Sequence, residues 1–309
     1  EINGVLISGF VALDLEKAVY PPSHLQKLRD LNYRIDIDAE KGHKSKLLLF
    51  KELFTTLEAR IKAYKYFWGT VDWDVFMLVF TGSDRLEHFL WSAYEDKTHE
   101  HHLQFLEFFK RIDGAIGEIN DRLGEGDSLV ILSDHGMEGI RTDVNVNTNL
   151  VQEGFLLLED SPNKKYNCVK EGTKAFALDP GRIYLNKKGK YPRGCVQENE
   201  ERKVIAELID SFTQLTWDGE RVIKNIYRKE EIYRGNFLEQ APDLVLMPNS
   251  GFNLKAGLFK KELFEEDPLT GKHTQEDAFL LIKGGEEIIP KNPSVEDVVP
   301  ILDRLGGKI

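Results

Sequence analysis

Two apolar runs that end in acidic and imidazole side chains limit the folds open to this chain more than any other feature. Leu129-Val130-Ile131-Leu132 closes on Ser133-Asp134-His135-Gly136, and residues 73–80 close on Thr81-Gly82-Ser83-Asp84-Arg85-Leu86-Glu87-His88. A short apolar run between turn signals reads as a buried strand, and ligand sites of open α/β sheets gather where strands end. Asp84 and His88 are four residues apart, so a helical backbone projects both from one face. Either pair alone has an ordinary explanation, as a cap or as a turn that satisfies backbone donors. Their shared placement after strand-like runs favours metal binding.

The remaining pattern alternates between strand and helix. Residues 4–10 read as a strand, and Ser23, after the Tyr20-Pro21-Pro22 break, is placed to cap a helix reaching about Leu31. From 45 to 67 the apolar residues Leu49, Leu53, Leu57, Ile61 and Tyr64 recur at helical spacing. A second amphipathic helix is expected over 99–123, stopped by Gly124-Glu125-Gly126. Strand, helix, strand with connections of this length predicts an α/β fold, a mostly parallel sheet with helices on both faces. Residues 151–270 are more mixed, with strands expected at 182–185 and 243–247 and a helix over 198–213. The tail returns to a strand at 278–282 and a helix over 295–305. His273 precedes the 278–282 strand at its amino end, so it joins the other candidates where that strand runs antiparallel to its neighbours, and that orientation is expected. Gly271 beside it permits close backbone approach, although a polar turn explains Gly271-Lys272-His273-Thr274 equally well.

Composition narrows the classes. With 41 basic against 52 acidic residues the net charge is −11, which argues against a broad nucleic-acid footprint. Cys168 and Cys195 lack the spacing of a zinc ribbon, and their pairing is undecided by sequence. No run approaches the roughly 20 apolar residues of a membrane helix. The chain starts at Glu1, and Met77, Met137 and Met247 all fall inside apparent elements, so its natural start is expected upstream. A cytoplasmic location is expected, with a leader ahead of Glu1 left open.

Thr81 to Trp91, Ser133-Asp134-His135-Gly136-Met137 and Gly271-Lys272-His273 resemble the metal motifs of the alkaline phosphatase superfamily, in particular the type I phosphodiesterase and nucleotide pyrophosphatase branch and its prokaryotic members. Residues 4–10 with Leu15-Glu16-Lys17-Ala18-Val19-Tyr20-Pro21-Pro22, Arg182-Ile183-Tyr184-Leu185-Asn186 and Ala241-Pro242-Asp243-Leu244-Val245 extend the resemblance over almost the whole chain. It implies hydrolysis of phosphodiester or nucleotide pyrophosphate bonds with two divalent ions, usually zinc and in some members manganese. Asp84, His88 and His273 would hold one ion. Asp134 and His135 would hold the second, together with an aspartate and a serine or threonine nucleophile that the family places in its amino-terminal part. No segment here matches that part. The chain is therefore expected to be one catalytic domain over 1–309 truncated at its amino end, with 151–270 as an excursion forming a cap or loops, and to be inactive by itself. The end at 306–309 also looks clipped.

Several readings stay open. A phosphoglycerate mutase or phosphopentomutase would use related ligands and return the phosphoryl group to a sugar, and a catalytically inactive metal-binding piece is the non-enzyme alternative. A sulfatase lacks its cysteine setting here. Arg85 is a candidate for substrate phosphate or for a helix-surface ion pair. The basic run 187–193 suits a solvated turn or a phosphate contact, and His99, His101 and His102 suit a solvated helix start. Loss of the first strand would expose a sheet edge, so the piece is expected to self-associate or to need its missing portion.

Overall fold

The computed structural model describes residues 2–12, 14–159, 168–266 and 268–306. The chain divides into two compact units, Glu1–Glu138 with Pro268–Ile309, and Gly139–Asp267. Part of the mixed 151–270 stretch and residues 307–309 of the expected clipped end lie outside the described residues.

In the first unit β1 (Leu6–Ile7) pairs antiparallel with β2 (Val19–Tyr20), and α1 (Leu15–Ala18) between them is capped by Asp14, whose carboxylate accepts from the Lys17 N–H. The strand expected over 4–10 thus shortens to two residues. A 3-10 turn at Pro22–His24 leads into α2 (Leu25–Asp30), so Ser23 lies inside that turn and caps nothing. After α3 (Ala39–Lys44) comes α4 (Lys46–Thr70), the long helix that its apolar spacing predicts. Leu49, Leu53, Leu57 and Ile61 pack against Leu86 and Phe89 of α5 (Gly82–Glu95) and against Phe105, Phe108 and Ile112 of α6 (His102–Asn120). Each such side chain contributes roughly 1.5–3 kcal/mol when fully buried, and this three-helix contact anchors the element that bears Asp84. Its second end is fixed by His102, whose Nδ1 meets the Ala93 carbonyl oxygen at 2.7 Å. That histidine is therefore part of a helix junction, and His101 is only partly exposed beside it, so the solvated start expected of the trio does not hold.

The buried strand expected over 73–80 does not form. Exposure alternates along it, with Val75, Met77 and Val79 outward and Phe76, Leu78 and Phe80 packed on the helices, but no described strand hydrogen-bonds to it. An alternating pattern supplies the faces of a strand; the ladder itself must come from a neighbour. β3 (Leu129–Leu132) and β4 (Gly136–Gly139) follow.

The second unit contains, in order, β5 (Thr142–Asn145), α7 (Val146–Gln152), β6 (Ala175–Asp179), β7 (Arg182–Leu185), α8 (Glu201–Gln214), β8 (Thr216–Trp217), β9 (Glu220–Arg221), β10 (Ile223–Arg228), α9 (Lys229–Ile232), β11 (Leu244–Pro248), β12 (Phe252–Lys255) and β13 (Phe264–Glu265). β10, β11, β7 and β6 form an antiparallel sheet in that order, and β5 lies between β12 and β13. A core of its own, including Ile183, Leu185, Leu208, Phe212 and Leu244, holds it together. Cys168 and Cys195 are not joined in a disulfide. The basic run is engaged: Lys187 pairs with Glu201 at 2.7 Å and Asp243 at 3.1 Å, and Lys190 donates to the Glu239 carbonyl oxygen.

The chain re-enters the first unit through β14 (Gly271–Thr274), the hydrogen-bonded neighbour of β4. β15 (Leu280–Lys283) then runs antiparallel to β3, with Leu280 opposite Leu132 and Lys283 opposite Leu129, and α10 (Val298–Gly306) ends the described chain. The antiparallel orientation expected near 278–282 is present, shifted by two residues. The protein is thus a mixed α/β fold whose described ladders are mostly antiparallel, β5 with β12 being parallel. The mostly parallel sheet expected from the alternation is not what these ladders build, because residues 73–80 join none of them. Among the described residues no helix is long and apolar enough to cross a membrane.

Candidate metal centre

Three segments bring the candidate side chains together. Asp84 lies in the first turn of α5, where a carboxylate complements the helix dipole. One turn on, His88 Nε2 is 3.4 Å from Asp84 Oδ1. His135 stands between β3 and β4, with Nε2 3.6 Å from the same oxygen. His273, on β14, places Nε2 2.7 Å from Asp84 Oδ1 and 2.9 Å from His88 Nε2, and its ring stacks on His135 with centroids 3.6 Å apart. One ligand atom each from Asp84, His135 and His273 falls within 4.8 Å of the others. Asp134 reaches this group at its edge: Oδ1 is 3.6 Å from His135 Nε2, and the side chain is exposed.

Backbone carbonyls set the imidazoles. His88 Nδ1 is 2.8 Å from the Gly271 carbonyl oxygen, and His135 Nδ1 is 3.0 Å from that of Gly136. A carbonyl only accepts, so Nδ1 carries a hydrogen in both rings and Nε2 is the atom turned toward the centre, where it donates to a carboxylate when protonated or offers its lone pair to a cation. Two imidazole nitrogens held as closely as those of His88 and His273 require a proton or a cation between them. Carboxylate with imidazole is also the donor mixture that suits zinc and similar divalent ions. The residues present therefore fit a metal.

Two glycines permit the approach. A Cβ on Gly271 would land on the Glu87 carbonyl oxygen and press on Trp91 of α5, and a Cβ on Gly136 would land on the Glu276 carbonyl oxygen and the Thr274 hydroxyl. Only a bare Cα lets β14 lie this close to α5 and to the loop beyond it.

Burial alone would push the Asp84 carboxyl up, but hydrogen bonds to His273 and His88 outweigh it and hold the group well below the ordinary carboxylate range. The Asp84 hydrogen bond raises His88 in return. Glu87, between them in sequence, is pushed up to about 7 by burial and by the neighbouring Asp84 charge. Arg85 bridges two carboxylates: Nε and Nη2 donate to Asp36 Oδ2 at 3.1 and 2.7 Å, and Nη1 lies 3.5 Å from Asp84 Oδ2. Of the two roles open to Arg85, the geometry provides the ion pair. Asp36 itself carries no sequence signal, since its partner is 49 residues away. Nearby hydroxyls are engaged with backbone: Ser83 donates to the Phe80 carbonyl oxygen, Thr274 donates to that of Glu276, and Ser133 accepts from the Phe279 N–H.

The first unit is thus a helical layer packed on short strands, with a carboxylate and three imidazoles gathered from the ends of separate segments: an α/β protein with the donor set of a divalent-metal site. The chain belongs to the type I phosphodiesterase/nucleotide pyrophosphatase family, whose model matches residues 9–274. Among solved structures it is similar to phosphonoacetate hydrolase from Sinorhizobium meliloti 1021 in complex with phosphonoacetate, at 13% identity and a TM-score of 0.46, over 90% of this chain. The chain spans 58% of that protein's length. No curated protein matches it.

Proposed function

We propose that this chain carries the divalent-metal centre of a hydrolase acting on phosphodiester or nucleotide pyrophosphate bonds. The observation behind this reading is the meeting of Asp84, His88, His135 and His273 with imidazole Nε2 atoms turned inward. Family membership supplies the substrate class. Divalent ions bound there, zinc or manganese, would polarise phosphoryl oxygens and lower the pKa of the attacking oxygen.

Asp84, His88 and His273 would hold one ion, and His135 with Asp134 a second. Asp84 Oδ1 lies near both His273 and His135, so its charge serves both positions. The low-lying Asp84 carboxyl stays ionised at neutral pH, and the carbonyls of Gly271 and Gly136 keep two rings oriented. Exposed Asp134 marks the side open to solvent, from which a phosphate ester would approach. Arg85 would steady Asp84, with substrate contact a lesser role. The reading places 1–309 in one alkaline-phosphatase-like catalytic domain, and 151–270 as an excursion from it; the order of the motif-bearing segments supports this. No residue of this chain is assigned as the hydroxyl nucleophile. Metal binding without turnover is the second reading, favoured by the backbone bonds that occupy Ser83, Ser133 and Thr274.

The test is metal content after zinc or manganese loading, together with release of p-nitrophenol from bis(p-nitrophenyl) phosphate with and without chelator. Bound metal with chelator-sensitive hydrolysis supports the hydrolase, and bound metal without hydrolysis supports the second reading. Absence of stoichiometric metal overturns both.

A further inference from the structure

Arg60, in the middle of α4, is buried at 7% exposure, and among the described residues no carboxylate pairs with it. Its partners are neutral. Nη1 donates to the Val79 carbonyl oxygen at 2.5 Å and to Thr81 Oγ1 at 3.1 Å, Nη2 donates to the Ile35 carbonyl oxygen at 2.8 Å, and the guanidinium lies 5.8 Å from the Tyr33 ring centroid. Its Nε has no partner, nor has Thr56 Oγ1 one turn earlier, and both residues line a small cavity with Leu53, Leu57 and Phe108. A buried charge without a counter-charge is costly, and the helix face around Arg60 is apolar, so an apolar residue would serve the core better.

The location of its acceptors explains the cost. Thr81 is the residue before α5, its side chain makes no capping bond to that helix, and Asp84 follows three residues on. Ile35 adjoins Asp36, which holds Arg85, the residue next to Asp84. A single guanidinium thus ties together the two chain segments that converge on the candidate ligand carboxylate.

We propose that Arg60 is a positioning residue: through residues 79–81 and 35–36 it fixes the approach of Asp84 to His273 while touching no candidate ligand. This rests on the metal-centre reading. The test compares Arg60→Met and Arg60→Lys with Leu57→Ala, a plain core deletion on the same helix. The readouts are cobalt(II) affinity and the cobalt visible spectrum of each protein, with a crystal structure of each metal-free variant. Arg60→Met is expected to keep its helical circular dichroism, to bind cobalt at least about tenfold more weakly with altered bands, and to separate Asp84 Oδ1 from His273 Nε2. Arg60→Lys should recover little, because one ammonium cannot span the oxygens of Val79, Thr81 and Ile35. Leu57→Ala should melt earlier with an unchanged spectrum. If Arg60→Met does not fold, Arg60→Lys decides on the same readouts. Wild-type affinity and spectrum in the folded Arg60 variant, or a retained Asp84–His273 contact, overturns the proposal. If the unsubstituted protein binds no cobalt, the metal-centre reading falls, and the Asp84–His273 separation in the variants still decides the role of Arg60.

Discussion

His273 touches Asp84, His88 and His135, so its removal disturbs every part of the centre at once. His273→Ala is expected to lower bound metal by at least about 10- to 100-fold in affinity, the range already seen for residues that merely support ligands. Asp134→Asn should weaken only the second ion, since Asp134 meets the group through His135 alone among the described contacts. Metal analysis after dialysis checks both, and unchanged content in the two variants removes the assignment. Gly271→Ala drives a methyl into the Glu87 carbonyl oxygen. It should destabilise by about 1–3 kcal/mol or more and release metal together with the fold's β14 edge, read as a lower melting temperature and lower zinc content. At this scale Asp84, His88, Asp134 and His135 were legible as candidates because acid and imidazole followed apolar runs, and His273 through the family motif that Gly271-Lys272-His273 resembles. Arg60 and Asp36 were not, because their roles are set by partners 19 to 49 residues distant.

The element that carries most of the first unit is α4, and its register was plain from Leu49, Leu53, Leu57 and Ile61. Phe108 of α6 is fully buried against it. Phe108→Ala should cost about 3–5 kcal/mol, read by denaturant unfolding with far-UV circular dichroism. Glu52 on α4 binds Arg34 at 2.9 Å and Lys41 at 3.2 Å. Burial pushes its carboxyl up, but Lys41 and Arg34 hold it below its ordinary 4.5. A depressed carboxyl stabilises the fold above 4.5 and loses that contribution as pH falls through its folded value. Melting curves from pH 7 to pH 3 should therefore drop more steeply for the wild type than for Glu52→Gln, which starts lower at pH 7. A parallel profile for the two would refute this. Helices were easier to read than the strand at 73–80, because helix hydrogen bonds are local whereas a ladder depends on a neighbour distant in sequence.

For the molecule as a whole, the unladdered 73–80 segment presents Val75, Met77 and Val79 to solvent, with Met77 84% exposed. An apolar edge of this kind promotes association. Light scattering should show concentration-dependent growth that Met77→Lys suppresses, and a monodisperse monomer at high concentration would contradict it. In sequence the chain reads as one domain with a more mixed stretch from 151, whereas the second unit begins at Gly139, inside β4. The pairing of β4 with β14 has a consequence of its own. The polypeptide departs for the second unit and comes back along neighbouring strands, while every candidate ligand stays in the first. At about 3.3 Å of reach per residue, a splice of a few residues is long enough to bridge strands this short. Replacing residues 139–267 by such a splice would therefore leave every candidate ligand in the chain.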